Sequence, residues 1–299
     1  MAQLTRGALR AAVAARCGVN NDSGSDSEAY LNQDLNAAAR RVFSARPWVE
    51  RFKECEVFTV APYTTGTVAL TQASTTVTGT GTTWASTYSG RKLALALGRP
   101  WYRFTRTGNT AGTIPTGGYA ETTNATASYT LFQDEYDLDE TFQTIVAAQV
   151  LAPDRRGFMR PTTESDLDQR WYTSAESGSP AMYAPTIATT AGIKRIRLWP
   201  IPDAIYRVRV RGMVTFRDMT QDGDLCLLGA SKERVLMLAA CLEVQRRGDG
   251  RPVTSDAEVE QAIKEQWEAE APQQPLSVTR EARVGGHVRG FTVYLRDPD

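Results

Sequence analysis

From Val57 to about Phe132 the chain turns abruptly to Thr, Ser and Gly with alternating apolar residues, while the residues on either side repeat their apolar positions at helical spacing. Such a stretch predicts strands, because β-branched and glycine residues disfavour helix and alternation places one face of a strand in a core. Thr67-Val68-Ala69-Leu70 and Thr75-Thr76-Val77-Thr78 alternate across a turn at Gln72-Ala73-Ser74, and Gly79-Thr80-Gly81 breaks the run. Leu93, Leu95 and Leu97, Trp101 to Phe104 and Tyr129 to Phe132 predict further strands. Short strands with turn residues between them predict a small closed barrel or sandwich, since closure removes exposed edges.

The flanks are different. Leu4, Ala8, Leu9, Ala12 and Val13 predict a helix that stops at Cys17-Gly18, and Asp26 or Ser27 caps a second carrying Leu31, Leu35, Ala38, Val42 and Phe43 up to Pro47. Asp139 predicts a capped helix to Leu151 with Phe142, Ile145, Val146 and Gln149 on one side, followed by a short helix over 164–172 and an irregular stretch over 174–192. Ile193 to Phe216 predicts a hairpin turning at Pro200-Ile201-Pro202-Asp203. Val235, Leu238, Ala239 and Leu242 mark a helix ending at Gly248, and Ser255-Asp256-Ala257-Glu258 is a capping box ahead of Val259, Ile263 and Trp267. The expected class is α+β: a helical bundle core, an inserted small antiparallel β-barrel or sandwich, a β-hairpin and an extended C-terminal arm. The expected domains are 1–55 with 135–271, helical and carrying hairpin 193–216; 56–134, the β insert; and 272–299, the arm.

The 299 residues carry 34 Lys plus Arg against 34 Asp plus Glu, so no global field draws the chain to a polyanion or an anionic membrane. Four scattered cysteines form no Cys-x-x-Cys pair and read as buried thiols of a reducing compartment. No apolar run is long enough to span a bilayer and no secretion signal opens the chain, so synthesis in the cytoplasm is expected. The single histidine, His287, lies in a glycine-flanked tail, which removes the usual carrier of base catalysis and multi-histidine metal binding. No enzyme activity, cofactor or metal is expected.

Local motifs add little chemistry. The acidic run Asp134 to Glu140 contains carboxylates that a hydrolase could pair, Asp134 or Glu135 with Glu140, but acidic residues ahead of a helix also serve as caps. Gly79-Thr80-Gly81-Thr82-Thr83 lacks the lysine of a phosphate loop. Trp84, Trp101 and Tyr102 would serve a glycan-binding module if they were exposed. Alternation puts Arg195, Arg197, Arg207, Arg209 and Arg211 on one face of the expected hairpin, to meet DNA phosphates or to form ion pairs. Phe291, Val293 and Leu295 alternate with Thr292, Tyr294 and Arg296 as a strand with no local partner, suited to joining another subunit.

The order of several segments carries a resemblance. Arg46-Pro47-Trp48 closes the N-terminal helices, Gly66-Thr67-Val68 and Ser74 through Trp84 follow, and then Gly90-Arg91-Lys92 and Ser128 through Leu138. Gly178-Ser179-Pro180 with Tyr183, Leu198-Trp199-Pro200-Ile201-Pro202-Asp203-Ala204 and the closing helices complete the series. Over residues 27 to 270, approximately, the chain resembles the head-to-tail adaptor (connector) proteins of tailed bacteriophages. The resemblance implies a virion protein at the head–tail junction, assembled in the host cytoplasm. It would form a homo-oligomeric ring of about twelve copies docked under the portal protein. It would also join the tail or the next connector around a channel through which genomic DNA passes without sequence-specific contact. No membrane partner is implied. The arm, with Phe291, Val293, Tyr294 and Leu295, would reach the portal or a neighbouring subunit. The alternative is a β-rich glycan-binding module of a tail or baseplate.

Overall fold

A computed structural model describes residues 5–139, 141–151, 156–187, 193–249, 251–270, 281–284 and 287–290. In chain order its elements are α1 (Arg6–Cys17), α2 (Asp26–Ala45), β1 (Phe52–Phe58), β2 (Thr67–Leu70), β3 (Thr76–Thr80), β4 (Lys92–Ala94), β5 (Trp101–Arg103), β6 (Thr105–Arg106), β7 (Ala111–Thr113), β8 (Asn124–Ala127) and β9 (Thr130–Phe132). There follow β10 (Glu135–Asp137), β11 (Phe142–Leu151), β12 (Arg156–Phe158), β13 (Arg160–Pro161), α3 (Glu164–Thr173), β14 (Met182–Ile187), β15 (Lys194–Trp199), β16 (Arg207–Val214), α4 (Glu233–Arg247), α5 (Asp256–Glu270), β17 (Glu281–Val284) and β18 (His287–Gly290). Contacts divide the chain into residues 1–53 with 213–299 and residues 54–212.

In the first unit α1, α2, α4 and α5 enclose Leu9, Val13, Leu31, Leu35, Val42, Leu236, Cys241, Val259 and Ile263. Their ends obey local chemistry. Thr5 caps α1 by accepting from the Ala8 amide, and Gly18 ends it in the left-handed region at φ 70°. Ser25, upstream of the two expected caps, accepts from the Glu28 amide at the start of α2. Trp48, just past Pro47, is buried and donates from Nε1 to the Val42 carbonyl at 2.6 Å. Lys232 is buried too, its ammonium shared between Glu50 at 2.5 Å and Glu270 at 2.9 Å.

Strands build the second unit. Two four-stranded sheets run β1-β16-β11-β12 and β10-β15-β14-β13, and the Thr-rich stretch forms a five-stranded sheet β6-β7-β3-β2-β8 and a three-stranded sheet β5-β4-β9. The Thr-rich sheets share a core of Val68, Leu70, Val77, Trp84, Leu93, Phe104, Tyr129 and Leu131. Trp84 lies inside it, its Nε1 donating to the Tyr129 hydroxyl at 2.8 Å and its ring 4.8 Å from Phe104. It therefore offers no face to a sugar.

These sheets correct the expected fold class. The protein is β-rich, with five short helices and the strands above, rather than a helical bundle core, and no sheet closes into a barrel among the described residues. Two local readings account for much of the error. The segment Phe142–Leu151 is strand β11, not a helix: Asp139 makes an Asx-type turn, its Oδ1 accepting from the Thr141 amide at 2.9 Å, and Phe142, Ala148 and Val150 face one core. The expected hairpin is absent as well, because β15 lies between β10 and β14 while β16 lies between β1 and β11. Met182–Ile187, expected to be irregular, is the strand that pairs with β15, Met182 opposite Trp199.

The C-terminal ladder pairs β17 with β18 antiparallel, Glu281 opposite Gly290 and Val284 opposite His287. Phe291, Val293, Tyr294 and Leu295 lie outside the described residues.

Gly212 explains how β16 and β11 come together. A β-carbon there would collide with the Thr144 carbonyl oxygen and stand 2.6 Å from the Phe142 ring. Gly212→Ala is expected to lower stability by about 1–3 kcal/mol through overpacking, read as a lower urea midpoint at unchanged slope.

Candidate functional site: two sets of arginines and a buried charge seam

The five arginines read as one basic face occupy two places. Arg195 and Arg197 lie on β15, and Arg207, Arg209 and Arg211 lie on β16 in another sheet.

Around Arg197 the charges are buried. The chain passes from β9 to β10 through Gln133 and Asp134 alone, and so leaves the three-stranded sheet for a four-stranded one within two residues. Asp134 ties the two sheets together. Its carbonyl accepts from the Leu198 amide at 2.8 Å, and its carboxylate holds Lys92 of β4 at 2.9 Å and Arg197 of β15 at 2.9 Å. Lys92, Asp134 and Arg197 are 2%, 4% and 4% exposed, so each charge needs its partner. Arg197 extends to Asp168 of α3 at 2.6 Å, and Lys92 also meets Glu135 at 2.6 Å and stacks over Trp101 at 4.2 Å. Towards the surface Arg103 joins Glu135 at 3.1 Å, and Arg195 pairs with Asp137. Lys92, Arg103, Arg195 and Arg197 face Asp134, Glu135, Asp137 and Asp168, so the seam is neutral.

The electrostatics follow. Burial opposes charge on both Glu135 and Arg197, and the partners outweigh it in each case. Lys92 and Arg103 hold the Glu135 carboxyl below its ordinary value, and Asp134 with Asp168 raises Arg197 above its own. Arg195 is raised by its hydrogen bond to Asp137.

On β16 the alternation holds, with Val208 and Val210 inward and Arg207, Arg209 and Arg211 outward. Facing them on β1 are Glu54 and Glu56. Arg207 donates to Glu56 at 2.8 Å, while Arg209 and Arg211 stand 3.9 Å and 3.8 Å from Glu54. The hydrogen bond from Arg207 holds the solvent-facing Glu56 below its ordinary value.

The acidic run thus contributes to ion pairs, and its carboxylates Asp134, Glu135 and Asp137 each meet a cation. Of the aromatic trio only Trp101 and Tyr102 are half-exposed, Trp101 beneath Lys92 and Tyr102 accepting from the Ala120 amide. The sequence reading missed Lys92 and Asp168. The usable signal was a lysine heading the apolar strand Lys92-Leu93-Ala94. Among the described residues no group of His, Cys, Asp and Glu could hold a metal, and no helix is long and apolar enough to cross a membrane.

Two measurements test this electrostatic picture. A depressed carboxyl stabilises the fold fully above the unfolded value near 4.5, and loses that contribution as the pH falls through the lower folded value. Glu135→Gln should therefore be less stable at pH 7 and show a shallower loss of stability below pH 4.5, read by urea titration across pH. Arg207→Ala should raise the Glu56 value towards 4.5, read by carboxyl-carbon NMR; an unmoved Glu56 would refute the pairing.

A family model described as SU10 adaptor protein matches residues 113–285, more than half of the chain. The match runs from β7 to the end of β17 and so includes Asp134, Glu135, all five arginines and the helices α3 to α5. No curated protein matches the chain.

Proposed function

The chain belongs to the SU10 adaptor protein family, and on that premise we propose that it forms the ring that docks under the portal and joins the capsid to the tail around the DNA channel. It is a bacteriophage adaptor, a structural component of the virion that contacts other virion proteins. The observation that carries the ring proposal is the family match, which spans residues of both units.

The charge distribution supports the same reading. A wall that DNA must slide past cannot bind it tightly, and this chain is neutral overall, with the four cations of its seam balanced by four carboxylates. Work done by assembly, with no reaction to catalyse, also suits Asp134, Glu135 and Asp137, each committed to an ion pair. The open sheets present edge strands such as β6 and β8, which can extend across subunits.

Native mass measurement and electron microscopy of the purified full chain, alone and mixed with the portal protein, test the proposal. Rings of about twelve copies seated on the portal are the expected result. A persistent monomer that ignores the portal would overturn it.

A further inference from the structure

A cleft of about 440 Å³ opens beside α3, lined by Arg160, Thr162, Asp166, Gln169, Arg170 and Met182. Arg160 and Arg170 are exposed. Neither comes within salt-bridge distance of a described carboxylate, and Arg170 acts on Asp166 only through its more distant charge, in contrast to the seam and to β16, where every arginine of the predicted set meets a carboxylate. The one carboxylate in the cleft is already engaged: Asp166 accepts from the Thr162 hydroxyl at 2.9 Å and completes the capping box of α3 with Thr163. Two forked donors with one committed anion make a site for carboxylates.

The complementary surface is on α5. Its fifteen residues carry Asp256, Glu258, Glu260, Glu265, Glu268 and Glu270 against Lys264 alone. Asp256, Glu260 and Glu270 bond closely to Arg41, Arg246 or Lys232. The others do not. Glu258, Gln261, Glu265 and Glu268 fall within about 80° of arc and span about 15 Å of helix. All are exposed, turned away from the buried Val259, Ala262 and Ile263. Glu265 stands 3.7 Å from an Arg234 that is itself 76% exposed, and Glu268 stands 3.9 Å from Lys264; pairs of this kind hold little energy and exchange readily.

We propose that the acidic stripe of α5 on one copy seats in the Arg160–Arg170 cleft of the next, and that this is the repeating contact of the ring. The inference rests on the adaptor reading and names the surfaces that reading leaves open. Cleft and stripe belong to different units of the same chain. Cleft and stripe are different patches, so seating each stripe in the cleft of the next copy makes a heterologous contact, the kind that propagates head to tail until the rotation closes. A second copy suits the cleft better than a DNA backbone, because every chain that brings a cleft also brings one carboxylate stripe.

The test is a charge exchange in the full-length chain. Arg160→Glu with Arg170→Glu makes both surfaces acidic, and Glu265→Arg with Glu268→Arg makes both basic. Each variant alone is expected to melt cooperatively yet stay unassembled by native mass measurement. Mixed in equal amounts they should assemble, because each junction then pairs an arginine surface with a glutamate surface, and the rings should contain even numbers of alternating copies. The neutral variant Arg160→Gln with Arg170→Gln, which introduces no repulsion, should raise the concentration needed for assembly by about tenfold. Unimpaired assembly of either charge-reversed variant alone, or no rescue on mixing, would overturn the contact. So would normal assembly with lost DNA retention in the cleft variant, which would assign the arginines to nucleic acid. Failure of the adaptor reading is separate: there the wild-type chain itself would remain monomeric.

Discussion

Asp134 is the pivot of the middle unit. One carboxylate neutralises a lysine from one sheet and an arginine from another, at the two-residue step where the chain changes sheets. Buried charges of this kind need not add much net stability, because desolvation consumes most of the attraction. They do restrict geometry. A slip of β4 or β15 by one residue would carry Lys92 or Arg197 to the opposite face and leave Asp134 charged and alone in the interior. The apolar cluster of Ala94, Phe132, Leu167, Trp171, Ala184, Trp199 and Ile201 then packs around a register already set, with Phe132 and Trp171 stacked 5.1 Å apart.

The helices were legible because their information is local. Gly18, Ser255 and Gly248 announce ends within a few residues of the apolar stripes they bound, and the stripes have one period. Strand β11 was not legible for the opposite reason. Phe142, Ile145, Val146 and Gln149 sit at helical spacing by coincidence, and the choice is made by β16 and β12, the latter pairing Gln149 with Phe158. In β15 both faces are covered, so Arg197 is buried alongside Ile196 and Leu198 and the apparent apolar–basic alternation has no meaning there. The same alternation in β16 does describe an inner and an outer face. Residue type and spacing are equivalent in the two strands; their neighbours differ.

The seam illustrates the same limit for site residues. Lys92, Asp134 and Arg197 are separated by 42 and 63 positions, and no local pattern relates them. What the sequence did convey was the family, through the order of short segments along the chain. The individual roles of charged side chains came only with the sheets.

The middle unit leaves and rejoins the helical one through β1 and β16, which lie side by side in one sheet. Its two attachment strands are thus separated by about 4.8 Å. For the flanking helices, a graft with ends so close resembles a short loop whatever its size, and closing it carries little entropy cost. Such an arrangement lets the strand-rich module vary in length without moving the two points at which the rest of the chain receives it.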